Sequence, residues 1–175
     1  MICGNDEMSE PGGDRSSSHI IAPLLVSKAI ELAAYVGRDF APGRWLSVTQ
    51  EEINRFVALT GDQNWIHTDV GRAARELPSG KTIVPGQLLL ALIPKLLQEM
   101  YAVTGGAHGQ AAAIREVRFR RAVNPDDAFR IRAKLTLVEQ RPRFVQVDAS
   151  CDLESAEGQR ILTSQRTDVF MTETE

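Results

Sequence analysis

Apolar residues recur along this chain with two different periods, and the change from one to the other divides it. The segment from Pro23 to Tyr35, PLLVSKAIELAAY, places Leu24, Leu25, Ile30, Leu32 and Ala33 at helical spacing behind a proline start, and predicts a short leading helix. Trp45 to Val48 reads as a brief strand. Thr49 and Glu52 then have the spacing of a capping box, in which the hydroxyl accepts from the third backbone N–H and the carboxylate reaches back. Ile53, Phe56, Val57 and Leu59 follow at helical spacing and Gly61 supplies a stop, so Thr49–Thr60 is predicted to be an amphipathic helix. A second helix is expected from Gly86 through GQLLLALIPKLLQEMY. It is apolar on almost every side, which suits a helix buried inside a sheet, and Pro94 should kink it by removing an internal hydrogen bond.

Beyond Gly109 the period becomes two. Val117 and Phe119 alternate with arginines; Phe129, Ile131, Ala133, Leu135 and Leu137 alternate with polar residues, as do Val145, Val147, Ala149, Cys151 and Leu153. Ile161–Met171 reads as a last, more polar strand. Turn residues fall at Asn124-Pro125-Asp126-Asp127, Arg141-Pro142 and Ala156-Glu157-Gly158. Three or four long antiparallel strands with one buried face therefore follow a buried helix, an α+β layout in which the sheet wraps around that helix. No internal repeat interrupts it.

At 175 residues the chain suits one domain that buries roughly 70% of its unfolded surface. Residues 1–19, rich in Gly, Ser, Asp and Glu, are expected to form a disordered tail before a single domain over 20–175. The net charge of −3 disfavours a general nucleic-acid binder. Two cysteines, Cys3 and Cys151, are too few for a disulfide framework or a thiolate zinc site. No signal-peptide pattern opens the chain and no apolar run is long enough to span a bilayer, so a cytoplasmic location and no membrane partner are expected.

Candidate chemistry concentrates in Leu59-Thr60-Gly61-Asp62-Gln63-Asn64-Trp65-Ile66-His67-Thr68-Asp69 and in Ile83-Val84-Pro85-Gly86-Gln87-Leu88. These segments resemble the signature of the MaoC-like (R)-specific enoyl-CoA hydratases and dehydratases: a helix ending in T-G-D, then N-x-I-H-x-D, then a glycine opening the central helix of a hot-dog fold. The tryptophan before Ile-His, with the preceding V-T-x-E-x-I-x-x-F, is most similar to the nodulation protein N-like branch. The resemblance spans about residues 42–171. It implies hydration of trans-2-enoyl thioesters or dehydration of (R)-3-hydroxyacyl thioesters, on coenzyme A or an acyl-carrier protein, without a cofactor. It also implies a homodimer or higher homo-oligomer, in which pairing would cover an exposed sheet edge.

That chemistry needs one group to take a proton from water, one to deliver a proton to the α-carbon, and donors for the oxygen that gains charge. The family pattern implies Asp62 and His67 as the acid–base dyad. Five residues apart, they would stand about 140° apart on a helix, but a loop after Gly61 lets both converge on one water. Asp62 is taken as the principal base and His67 as its partner, with the division of the two protons left open. Gly86 is the implied oxyanion donor, through a free N–H at a helix start where the dipole favours negative charge. Many relatives carry a histidine before this glycine; here it is Pro85. Asn64, Trp65 and Gln87 are assigned to substrate-binding surroundings. Asn64 orients Asp62 or His67 or holds the loop, and Trp65 lines the acyl pocket or packs beneath the loop.

Asp69 is read as the N-cap of a short helix Val70–Glu76 rather than a third catalytic carboxylate, and no second His or Cys lies at metal-ligand spacing. Arg115, Arg118, Arg120 and Arg121 either meet phosphates of the thioester carrier or form the wet face of a strand, and His19 and His108 are given no role. Two further functions stay open: a non-catalytic acyl-thioester-binding or scaffold subunit, and a thioesterase on the same fold.

Overall fold

The computed structural model describes residues 19–20 and 22–171. The tail expected over 1–19 lies outside them except for His19, and Cys3 lies outside them too. Ile20 is already packed at 4% exposure, its N–H donating to the Asp39 carbonyl.

Strand β1 (Leu24–Val26) leads into a 3₁₀ helix, Ala29–Tyr35. Helices α1 (Gln50–Thr60), α2 (Val70–Glu76) and α3 (Gly86–Gln98) follow, then β2 (Tyr101–Val103) and four longer strands. These are β3 (Gly109–Phe119), β4 (Phe129–Gln140), β5 (Phe144–Ser155) and β6 (Arg160–Met171). They form an antiparallel sheet in the order β3-β6-β5-β4.

The period-two pattern of β5, and of β4 as far as Leu135, folds as required. Leu137 lies beyond a register shift and is 38% exposed. Strand β3, where Val117 and Phe119 are expected to face inward, buries no residue because it is the edge strand of the sheet. In β4 the residues Phe129, Ile131, Ala133 and Leu135, and in β5 Val145, Val147, Ala149, Cys151 and Leu153, turn to one buried face. Leu89, Ile93, Leu96 and Leu97 of α3 join them in a single cluster with Ile53 of α1 and Leu32 of the 3₁₀ helix. Each such leucine or isoleucine contributes about 1.5–3 kcal/mol by leaving water. The helix thus lies against the sheet, with Pro94 retained inside it.

Several local expectations need correcting. Leu24–Val26 is a strand rather than the first turn of a helix, because it pairs in parallel with Tyr101–Val103. For the same reason the central helix ends at Gln98 and does not reach Tyr101. Trp45–Val48 is not a strand; only Leu46 bridges, exchanging hydrogen bonds with Phe129 at 2.8 Å in both directions. With Gly37, Phe40 and Gly43, whose N–H groups reach the carbonyls of Leu135, Ala133 and Ile131, it covers the outer edge of β4. The edge of β3 has no such cover among the described residues.

The last strand, polar by composition, is among the most buried. Ser164, Arg166, Thr167 and Asp168 are 8% exposed or less. Lying between β3 and β5, β6 has no edge in water. Arg166 and Asp168, two apart and so on one face, pair through Nε and Nη2 at 2.7–3.0 Å.

Candidate active site

The site begins where α1 stops. The capping box predicted for Thr49 and Glu52 is present, and Gly61 closes the helix in the left-handed region at φ 71°. That conformation penalises a side chain, which is why the stop falls on glycine. Immediately beyond it, an Asp62 carboxylate oxygen accepts from the Asn64 N–H at 2.9 Å. Such an Asx turn fixes the carboxylate against its own backbone. The Asn64 side chain in turn accepts from the Ile66 N–H at 3.4 Å and caps a single 3₁₀ turn, Trp65–His67.

This tight reversal brings His67 back over Asp62. Its Nε2 lies 3.8 Å from the Asp62 Oδ2, and the two side chains are 10% and 38% exposed. The other ring nitrogen, Nδ1, donates to the Ile83 carbonyl at 2.6 Å. A carbonyl oxygen can only accept, so the proton belongs on Nδ1 and a neutral ring presents its Nε2 lone pair towards Asp62. The Nε2–Oδ2 separation is too long for a direct hydrogen bond but spans one water oxygen.

Two further links hold the turn. The Ile83 N–H donates to the Ile66 carbonyl at 2.9 Å, and the Gln50 Nε2 donates to the His67 carbonyl at 2.8 Å. Thr82 donates its hydroxyl to the Gln50 side chain. The segment 82–85 thereby ties the His67 turn to the start of α3.

Gly86 opens that helix. The Pro85 carbonyl accepts from Leu88 and Leu89 at 3.0 and 3.2 Å, while the earlier N–H groups of the first turn have no partner within the helix. His67, Gly86, Gln87, Phe119, Arg120 and Arg121 line a cleft of about 360 Å³. Histidine and glycine from the two separate motifs therefore share one space; Asp62 does not line it and adjoins it through the Nε2 side of His67.

The remaining assignments divide. Gln87 lines the cleft; Asn64 and Trp65 do not. Asn64 holds the loop, and the Trp65 ring lies under the Arg72 guanidinium, 3.9 Å from its centroid, a packing role with a cation–π component. Asp69 accepts from the Arg72 N–H at 2.8 Å and caps α2, as its position predicted. Arg115 is engaged by Thr167 at 2.8 Å, whereas Arg120 and Arg121 reach the cleft. Phe119 was legible only as a strand residue. Its sequence signal is an apolar ring between Arg118 and Arg120, and its place beside Gly86 comes from tertiary folding. His108 lines a separate cavity of about 240 Å³ with Arg166, Asp168 and Tyr101, beside the C-terminal half of α3.

The model of the MaoC like domain matches residues 31–157. The chain belongs to this family. Among characterised relatives of this MaoC-like chain, the 3-hydroxyacyl-thioester dehydratase Z of Mycobacterium tuberculosis is 39% identical over 109 residues, covering 62% of this chain and 72% of that protein. Nodulation protein N of Rhizobium meliloti is 38% identical over 63 residues, 36% of this chain and 39% of the relative. Among solved structures, the (R)-hydratase PhaJ1 of Pseudomonas aeruginosa superposes with a TM-score of 0.62 at 21% identity, over 80% of this chain and 87% of that one. This likeness places the MaoC-like chain in the hot-dog fold, as the sequence pattern implied. No helix among its described residues is long and apolar enough to cross a membrane.

Proposed function

We propose that this MaoC-like chain is a hydro-lyase that adds water to trans-2-enoyl thioesters or removes it from (R)-3-hydroxyacyl thioesters. One observation carries the reading: the Nε2 of His67, fixed from behind by Ile83, faces the Asp62 carboxylate at 3.8 Å beside the cleft that Gly86 opens. The names of the mycobacterial relative and of the (R)-hydratase neighbour agree with it.

A water held between Oδ2 and Nε2 donates one hydrogen to each. In hydration its oxygen attacks C3 of the enoyl group while one proton passes to the dyad. The C2–C3 π electrons move towards the thioester oxygen, and the dyad returns a proton to C2. Asp62 serves as principal base, and His67 as the partner that orients the water and shares the proton. The Gly86 N–H, at the positive end of α3, stabilises charge on the thioester oxygen. The proton and electron count closes without an electron carrier. Gln87 faces the bound thioester. Arg120 and Arg121, at the rim of the same cleft, suit the phosphates of coenzyme A or of a carrier-bound phosphopantetheine arm. The open edge of β3 suits pairing with a second copy, which would extend the sheet and cover that edge.

Incubation with crotonyl-CoA and longer enoyl-CoAs separates this reading from its rivals. Loss of enoyl absorbance without release of free thiol supports the hydro-lyase. Thiol release would instead mean a thioesterase, and binding without either change a non-catalytic thioester-binding subunit.

A further inference from the structure

Phe119 ends β3 just beyond an irregularity in that strand. The register with β6 shifts between Arg115 and Arg118, and Glu116 adopts a positive φ of 53°. The ring is brought onto the first residue of α3. A Cβ on Gly86 would lie 2.7 and 2.8 Å from the Phe119 ring atoms Cε1 and Cδ1, closer than non-bonded carbon atoms come without something shifting, and 3.1 Å from Cζ. Gly86 therefore leaves room for a ring as well as for a substrate. Yet Phe119 is 51% exposed and lines the cleft that holds His67 and Gly86. An aromatic ring half in water has not been placed to fill the core; it forms an apolar wall of the cleft.

The position of that wall relates it to particular substrate atoms. With the thioester oxygen on the Gly86 N–H and the dyad serving C2 and C3, C2 lies between them. The ring rests against Gly86, whose N and Cα are joined by one bond of about 1.5 Å. A substituent on C2 points into the space that the ring borders. We infer that Phe119 is a specificity-determining residue that limits the bulk accepted at C2, so that linear acyl thioesters are preferred over 2-methyl-branched ones. The inference rests on the hydro-lyase reading for the pose, and it is tested by binding as well as by turnover.

The full chain, Phe119→Leu and Phe119→Ala are titrated calorimetrically with butyryl-CoA and 2-methylbutyryl-CoA. In parallel, each is assayed for hydration of crotonyl-CoA and its 2-methyl analogue tiglyl-CoA, with thermal unfolding as a check on folding. Wild type is expected to favour the linear ligand, and Phe119→Ala to reduce that preference about 10-fold or more, with Phe119→Leu between, as one methyl group in a pocket is worth about 10–200-fold. A linear-to-branched ratio constant to within about 2-fold across the three proteins overturns the inference, as does failure of butyryl-CoA to bind the wild type. A shifted binding ratio with no hydration of either enoyl thioester would leave Phe119 in place and sink the hydro-lyase reading alone.

Discussion

His67 donates its Nδ1 proton to the Ile83 carbonyl oxygen at 2.6 Å, and in doing so turns Nε2 towards Asp62. The same backbone unit returns a bond, since the Ile83 N–H donates to the Ile66 carbonyl. Two segments far apart in sequence are thus locked together by the side chain that faces the cleft. In the proposed mechanism, positioning and chemistry reside on opposite nitrogens of one ring.

That division separates stability from turnover. His67→Ala removes the donor to Ile83 and should destabilise the protein by about 1–3 kcal/mol, the cost of an unsatisfied buried carbonyl. His67→Asn, whose amide can reach the position of Nδ1, should recover much of that loss while turnover stays low. Denaturant unfolding beside an enoyl-CoA assay checks this; equal stability losses in the two variants would contradict it.

The capping box at the start of α1 should respond to mutation and to acid. Thr49→Ala is expected to cost about 1 kcal/mol in denaturant unfolding. The Thr49 N–H and hydroxyl both hold the Glu52 carboxylate, lowering its pKa below the ordinary value. A carboxylate lowered on folding contributes stability above its unfolded pKa, which is lost as the pH falls from there through the folded value. The difference between wild type and Thr49→Ala should therefore be present at pH 7 and shrink below about pH 4.

Cys151 is fully buried in β5, and that burial pushes its thiol up to about 12. The native protein at pH 8 should leave this thiol unmodified by iodoacetamide, and denaturant should expose it. Peptide mapping distinguishes it from Cys3. Rapid labelling of Cys151 in the native state would mean that the sheet opens readily.

Arg166 and Asp168 are 9% and 12% exposed and neutralise one another beside a cavity. Arg166→Met alone strands a buried carboxylate and should cost about 3–5 kcal/mol. The double variant Arg166→Met with Asp168→Leu should recover most of it. A double variant as unstable as the single one would show that the pair does more than cancel charge.

Legibility in the sequence followed the range of the interactions. The α1 capping box, the Gly61 stop and the Asp69 cap are set by residues within four positions of one another, and each is found where expected. The alternation in β5, and in β4 up to the register shift after Leu135, was equally readable, since one face of each is buried. The β1–β2 ladder was not: three residues pair across the length of the helical region, with no local pattern to mark them. Nor was the burial of β6, because its neighbours on both sides, rather than its own polar composition, decide its exposure. In the site, Asp62, His67 and Gly86 stood out by their match to the MaoC-like signature. Phe119 did not, since its contact with Gly86 joins the end of β3 to the start of α3.

The proposed chemistry depends on the Asp62 carboxylate and the His67 imidazole acting together on one water. Steady-state hydration of an enoyl-CoA that wild type turns over, measured for Asp62→Asn and His67→Gln with unfolding midpoints alongside, tests this most directly. Each variant should lose at least about 10²-fold in kcat, the usual worth of an acid–base group, while remaining folded. A folded variant of either residue that keeps near-wild-type turnover would contradict the dyad.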